Sequence, residues 1–214
     1  MMTPTQTHMP TPTQNRPSRR AVTLGLGAAV AFGAFATPAL AIVSEGKAKN
    51  LVIKIVDDIN RVISSGKSQS AMIKDFAKIF AKYSDVPVIA RYSLGVDARR
   101  ASASQLRAYT KAFQGYIARK YGKRFREFIG GRIEVKSART VKSFVEVKTT
   151  AYLKGQEPFE VKFLVSDKSG KPLFFNMFIE GINMLLSERQ EIQAMLDKRK
   201  GNIDQLIKDL KKAG

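Results

Sequence analysis

At Gly130-Gly131 the spacing of apolar residues changes, and that change limits the folds open to the chain. Upstream, apolar residues recur every three or four positions, the repeat of a helix with one buried face; downstream they recur every two, the repeat of a strand. Residues 46 to 65 read as a helix on Val52, Ile55, Val56, Ile59, Val62 and Ile63, stopped by Gly66. A second runs from Ser70 to Tyr83 on Met72, Ile73, Phe76, Ile79 and Phe80. Pro87 breaks the pattern, and a short helical stretch follows as far as Gly95. "SASQ" (Ser102 to Gln105) has capping-box spacing and opens the longest helix, whose stripe is Leu106, Tyr109, Phe113, Tyr116, Ile117, Tyr121, Phe125 and Phe128.

Past the glycine pair, "RIEVKS" (132 to 137) reads as a short strand. In 141 to 153, Val141, Val145, Val147, Ala151 and Leu153 share one face. Phe159, Val161, Phe163 and Val165 share another, and 173 to 180 make a last strand. "KGQEP" and "DKSGKP" between them are turn sequences, so the strands follow one another as hairpins. The helical repeat returns over 184 to 199 and again after Asn202, a good N-cap. Helices before and after an antiparallel meander of about four strands predict an α+β fold.

The first forty-one residues stand apart. They end a polar, acid-free segment at "RPSRR", continue as the uncharged run "AVTLGLGAAVAFGAFA" and close on "TPALA", with Ala39 and Ala41 where a signal peptidase needs small residues. The reading is a signal peptide over 1–41, cleaved after Ala41, and one domain over 42–214. "SRRAVTL" resembles a twin-arginine signal, so export by the Sec or the Tat route is open, and either delivers the chain to the periplasm.

Cleavage removes His8, the only histidine, and the chain has no Cys and no Trp. Without imidazole or thiol, Ser-His-Asp and Cys-His sites and ordinary zinc or copper sites are excluded. No catalytic residue, metal or cofactor is expected. Losing Arg16, Arg19 and Arg20 lowers the formal charge from +19 to +16. That charge suits nucleic acid in a cytoplasm, but outside one the abundant polyanions are lipid headgroups, so nucleic acid is not an expected partner.

The stretch "FFNMFIEGINML" (174 to 185) concentrates apolar residues around one acid, Glu180. Alternation predicts Leu173, Phe175, Met177 and Ile179 on one face and Phe174 and Phe178 on the other, with both faces covered by something apolar. Either helices cover the second face or a cavity takes an apolar ligand. Glu180-Gly181 reads as a structural turn.

Several segments together, "FAKYSDVPVIARYSLG", "ASASQLRAYTKAFQGYIARKYG", "VEVKTTAYLKG", "NMFIEGINM" and "IDQLIKDL", resemble the MlaC-type phospholipid-binding proteins, also called the toluene-tolerance family. The resemblance runs from about Phe76 to Leu210 and rests on the ensemble. It implies a curved antiparallel sheet wrapped by helices, with an apolar cavity between them for acyl tails. It implies a non-enzymatic periplasmic carrier whose cargo is phospholipid. The implied partners are an inner-membrane ABC transporter with an MCE-domain subunit and an outer-membrane lipoprotein complex, with transient membrane contact. The lipid-binding candidates on this reading are Phe76, Phe80, Tyr92, Phe113, Ile117, Tyr121, Val147, Phe163, Phe175 and Met177. The alternative is a basic periplasmic adaptor that binds a membrane surface or an acidic partner and holds no internal ligand.

Overall fold

The structure, a computed structural model, describes residues 43–214. The expected leader and its cleavage site fall outside these residues. Six helices and five strands follow in the order α1 (Glu45–Ile63), α2 (Gln69–Tyr83), α3 (Val86–Ser93), α4 (Ala103–Gly122), β1 (Arg132–Val141), β2 (Phe144–Tyr152), β3 (Phe159–Ser166), β4 (Leu173–Ile179), β5 (Ile182–Asn183), α5 (Met184–Lys198) and α6 (Ile203–Leu210). The α+β expectation holds, with a two-residue fifth strand added to the expected four.

Local chemistry explains the helix starts. Ser44, Ser68, Asp85, Asn183 and Asn202 each accept a hydrogen bond from a backbone N–H of the first turn, and Ser102 with Gln105 forms the full capping box. Each such cap contributes about 1 kcal/mol. Pro87 sits in the first turn of α3, where its missing N–H leaves no bond unmade, so it begins a helix rather than ending one. The stripe expected on one long helix is divided: α4 ends at Gly122 and the chain tightens into a 3-10 segment, Lys123–Phe128. Spacings of three and four residues over so short a run do not distinguish 3.6 residues per turn from 3.0.

The sheet is a simple antiparallel meander, β1-β2-β3-β4-β5. The strand expected over 141–153 is two strands: Val141 closes β1, and a hairpin turn at Lys142-Ser143 leads into β2. Lys142 takes the left-handed conformation, φ 53°, that glycine or asparagine usually supplies. Period-two alternation runs through the turn unbroken, so the sequence does not mark it.

The predicted faces of β4 also change. A bulge opposite Leu164 and Val165 pairs Phe174 with Val165 and Asn176 with Leu164, leaving Phe175 as the extra residue. Phe174 therefore faces the helices with Met177 and Ile179, while Phe175 meets Phe144 edge-on at 5.7 Å on the opposite face. Glu180 (φ 50°) and Gly181 (φ 80°) form the two-residue turn into β5, and the Glu180 N–H donates to the Glu160 carbonyl at 3.0 Å. The "EG" pair is a hairpin turn between two strands, and not the step from strand into helix that the sequence suggests.

Three helices, α1, α3 and α5, make the main contacts with the sheet. α1 lies across β1, β2 and β3; α2 packs on α1 and α4; α3 joins α4 to α5; and α6 closes on α4. The outer face holds a lattice of opposite charges at its centre. Glu146 receives Arg139 at 3.0 Å and Lys162 at 4.0 Å, and Lys162 and Lys148 reach Glu160 at 3.7 and 3.5 Å.

Candidate functional site

Rows of side chains cross the inner sheet face, set by the strand register. Ala138, Val147, Phe163 and Met177 make one row; Thr140, Val145, Val165 and Phe174 make the next. Phe174 links this face to α2: its ring lies 5.8 Å from Phe163 and 6.2 Å from Phe80, and Phe80 stacks on Phe76 at 6.4 Å. A continuous line of rings thus runs from the half-buried Phe76 on α2 to the middle of the sheet. Behind it stand Phe113 and Ile117 of α4, both buried. The facing side chains touch one another in one contiguous core.

A surface groove of about 480 Å³ lies between α1, the end of α2 and the turn before β4. Leu51, Tyr83, Pro172 and Leu173 supply its apolar wall, and Lys54, Arg61, Lys82 and Lys171 its cations. Tyr83 is one turn beyond Phe80 on α2, and Leu173 is next to Phe174 along β4 but on the opposite side of the strand. Asp58, which reads as wet from its place beside Asp57, is only 14% exposed at its side chain. It accepts from Arg61, from Lys82 at 3.1 Å and from the Tyr83 hydroxyl at 2.6 Å. Among the described residues, Lys54 and Lys171 have no carboxylate partner; Asp57, also at the groove, has no cationic one, and four cations against two acids leave the rim net positive beside an apolar wall. That combination suits an amphiphile with an anionic head.

The ten lipid-binding candidates separate into groups. Phe76, Phe80, Val147, Phe163 and Met177 come together along the ring line and the inner row. Phe113 and Ile117 belong to the same core from the helix side. Phe175 is on the outer sheet face. Tyr92 lies at the surface on α3, under the Arg189 guanidinium at 5.1 Å.

Tyr121 belongs to a polar cluster between α4 and α5. Its hydroxyl donates to Glu188, a carboxylate buried on α5. Lys120 reaches Glu188 at 2.7 Å and Glu191 at 2.5 Å, and the Tyr116 hydroxyl donates to Glu191 at 2.6 Å. Burial, then the bond to Glu188, pushes the Tyr121 hydroxyl well above the usual phenol range. Burial alone would raise Glu191, but the bonds from Lys120 and Tyr116 outweigh it and hold that carboxyl below its usual value.

Lys54 and Lys171 were not among the sequence candidates. They lie on separate elements, and only the fold brings them to one rim.

Comparison with known proteins bears on this arrangement. The chain is similar to a solved phospholipid-binding protein from Ralstonia solanacearum in complex with a phospholipid, with a TM-score of 0.67 and 17% identity over 78% of this chain and 96% of that one. At that identity the likeness shows a shared fold. No curated protein matches the chain in sequence. The MlaC family model, described as MlaC protein, matches residues 53–212, which takes in α2 to α6, all five strands and α1 from Ile53 onward. The chain belongs to the MlaC family.

Proposed function

We propose that the mature chain is a periplasmic carrier of phospholipid. The observation that carries this reading is a line of aromatic rings running from α2 to the inner sheet face, with a cation-bearing groove at the end of the same helix. Family membership and the fold shared with a phospholipid-bound protein support it. The acyl chains lie along the inner row, among Phe80, Val147, Phe163 and Met177. The headgroup phosphate stays at the rim with Lys54, Lys82 and Lys171, where it keeps part of its water.

The energetics set the need for such a shelter. Each buried methylene contributes about 0.8 kcal/mol, so a tail of about sixteen carbons represents roughly 12 kcal/mol of transfer free energy. The inner side chains touch in this form, so the tails are admitted by displacement of rings and of Met177, whose flexible thioether suits that role. Helices α1 and α2, which flank the groove, move away from the sheet as the cargo enters. The chain acts by binding, delivering lipid between an outer-membrane lipoprotein complex and an inner-membrane ABC transporter with an MCE-domain subunit.

The test is transfer of a fluorescent phospholipid from donor to acceptor vesicles. The mature protein accelerates it, and Lys54→Glu with Lys171→Glu slows it at least tenfold, as expected when about 1 kcal/mol per cation near an anionic headgroup is reversed. Transfer no faster than the spontaneous rate would contradict the proposal. The close packing of the inner side chains is what an adaptor without internal ligand would also show. Vesicle binding that vanishes at high salt, with no lipid carried, selects that reading instead.

A further inference from the structure

We infer that the ridge formed by α3 and α5 is a docking face for an anionic lipid bilayer, a role separate from holding cargo and independent of it. The two helices lie side by side: the Arg189 guanidinium covers the Tyr92 ring, and the Gln193 amide donates to the Leu94 carbonyl at 2.9 Å. Val88 is one turn before Tyr92 on α3, and Leu186 is one turn before Arg189 on α5. The 3-10 segment Gly95–Arg99 continues the ridge.

This ridge bears most of the large apolar side chains that the described residues leave in water. Val88 is 45% exposed, Tyr92 41%, Val96 63% and Leu186 43%. Elsewhere the solvent face of a helix in this chain is mostly charged. Four exposed apolar side chains on neighbouring elements are what an interaction surface would present.

Charge identifies the partner. Arg91, Arg99 and Arg189 accompany the apolar residues, and among the described residues none has a carboxylate partner. The acids near these apolar residues are engaged elsewhere, Asp97 with Arg100 at 2.6 Å, Glu188 and Glu191 with Lys120, and Asp85 with the α3 N-terminus and Ser169; Asp197, unpaired among the described residues, is at the far end of α5, eleven residues past Leu186. Apolar tips flanked by free guanidiniums and an amphipathic Tyr match the headgroup layer of an anionic bilayer, where apolar tips sink below the phosphates that the guanidiniums pair.

The experiment uses the mature protein and vesicles of phosphatidylcholine with or without phosphatidylglycerol. Cosedimentation is expected with phosphatidylglycerol present and not with phosphatidylcholine alone. Arg91→Ser with Arg189→Ser, and separately Val88→Ser with Leu186→Ser, are each expected to weaken partitioning at least tenfold. Lys208→Ser with Lys212→Ser removes the same charge at α6 and the C-terminal end and is expected to change it by less than about threefold, the screened contribution of charges remote from the membrane. The chain has no Trp, so Val96→Trp gives a single reporter whose emission shifts to the blue on the anionic vesicles alone. Thermal melts confirm that the exposed substitutions leave the fold intact. An unshifted reporter, equal losses in ridge and remote variants, or failure of the protein to bind any vesicle would overturn the inference. Transfer of cargo is measured separately, so a protein that carries lipid without docking here is distinguished from one that does neither.

Discussion

Met177→Trp is expected to lower phospholipid affinity roughly a hundredfold while the protein stays folded. Met177 stands opposite Phe163 on the inner face and is half-buried, so it borders the space the acyl chains are proposed to occupy. An indole there takes the room of about four methylenes, or about 3 kcal/mol of lost burial, which is about two decades in affinity. Because Met177 is not fully enclosed, the larger ring costs at most about 2 kcal/mol in packing. Phe178→Trp, on the outer face beneath Lys162, is the matched control and should leave binding unchanged. Equilibrium titration with a short-chain phospholipid checks both. Equal affinity in Met177→Trp and the unmodified protein would place the cargo elsewhere.

Lys120→Ala is expected to destabilise the fold by about 3 kcal/mol. A buried carboxylate stripped of its cation costs about 3–5 kcal/mol, and the partial exposure of Lys120 argues for the lower end. Glu188 would then keep one hydrogen-bonding neighbour, Tyr121, and its Oε2 already has no partner. For a domain of this size that corresponds to a fall in Tm of about 6–12 °C. Glu188→Gln in the same background should recover most of the loss, because it removes the orphaned charge while keeping the shape. The cluster also has a pH signature. Glu191 is held below its usual carboxylate value in the folded chain, so its contribution is present at neutral pH and is lost as pH falls through that depressed value. Lys120 is held above its usual value, with its bonds to Glu188 and Glu191 outweighing burial, so its contribution is lost only as pH rises past the ordinary lysine range. A loss below about 1 kcal/mol in chemical denaturation would show that the cluster is not what joins α4 to α5.

The parts of the fold legible in the sequence are those decided by neighbours along the chain. Ser102 with Gln105, Asn202 and the apolar repeats of α1 and α2 declare their helices because capping and amphipathicity act within a turn or two. The parts that were not legible depend on partners distant in sequence. The hairpin at Lys142 carries no glycine or proline, and the bulge that reverses Phe174 and Phe175 is imposed by pairing with β3. The polar cluster around Glu188 is invisible locally, since a glutamate in a helix between polar residues reads as solvent-facing until α4 is packed against it. The site divides in the same way. Phe80, Val147, Phe163 and Met177 were legible as inward-facing positions. Tyr92 sits at helical spacing from buried residues of α3 yet points outward, and the rim pair Lys54 and Lys171 is assembled only by the fold.

Everything proposed for function depends on the inner face of the sheet taking up hydrocarbon. Native mass spectrometry of the purified mature protein, with lipid extraction and quantification on the same sample, measures that uptake most directly. The account predicts phospholipid bound at close to one molecule per chain, or acquired on incubation with vesicles, and lost from Met177→Trp. A chain that emerges lipid-free and remains so after vesicle incubation would contradict it.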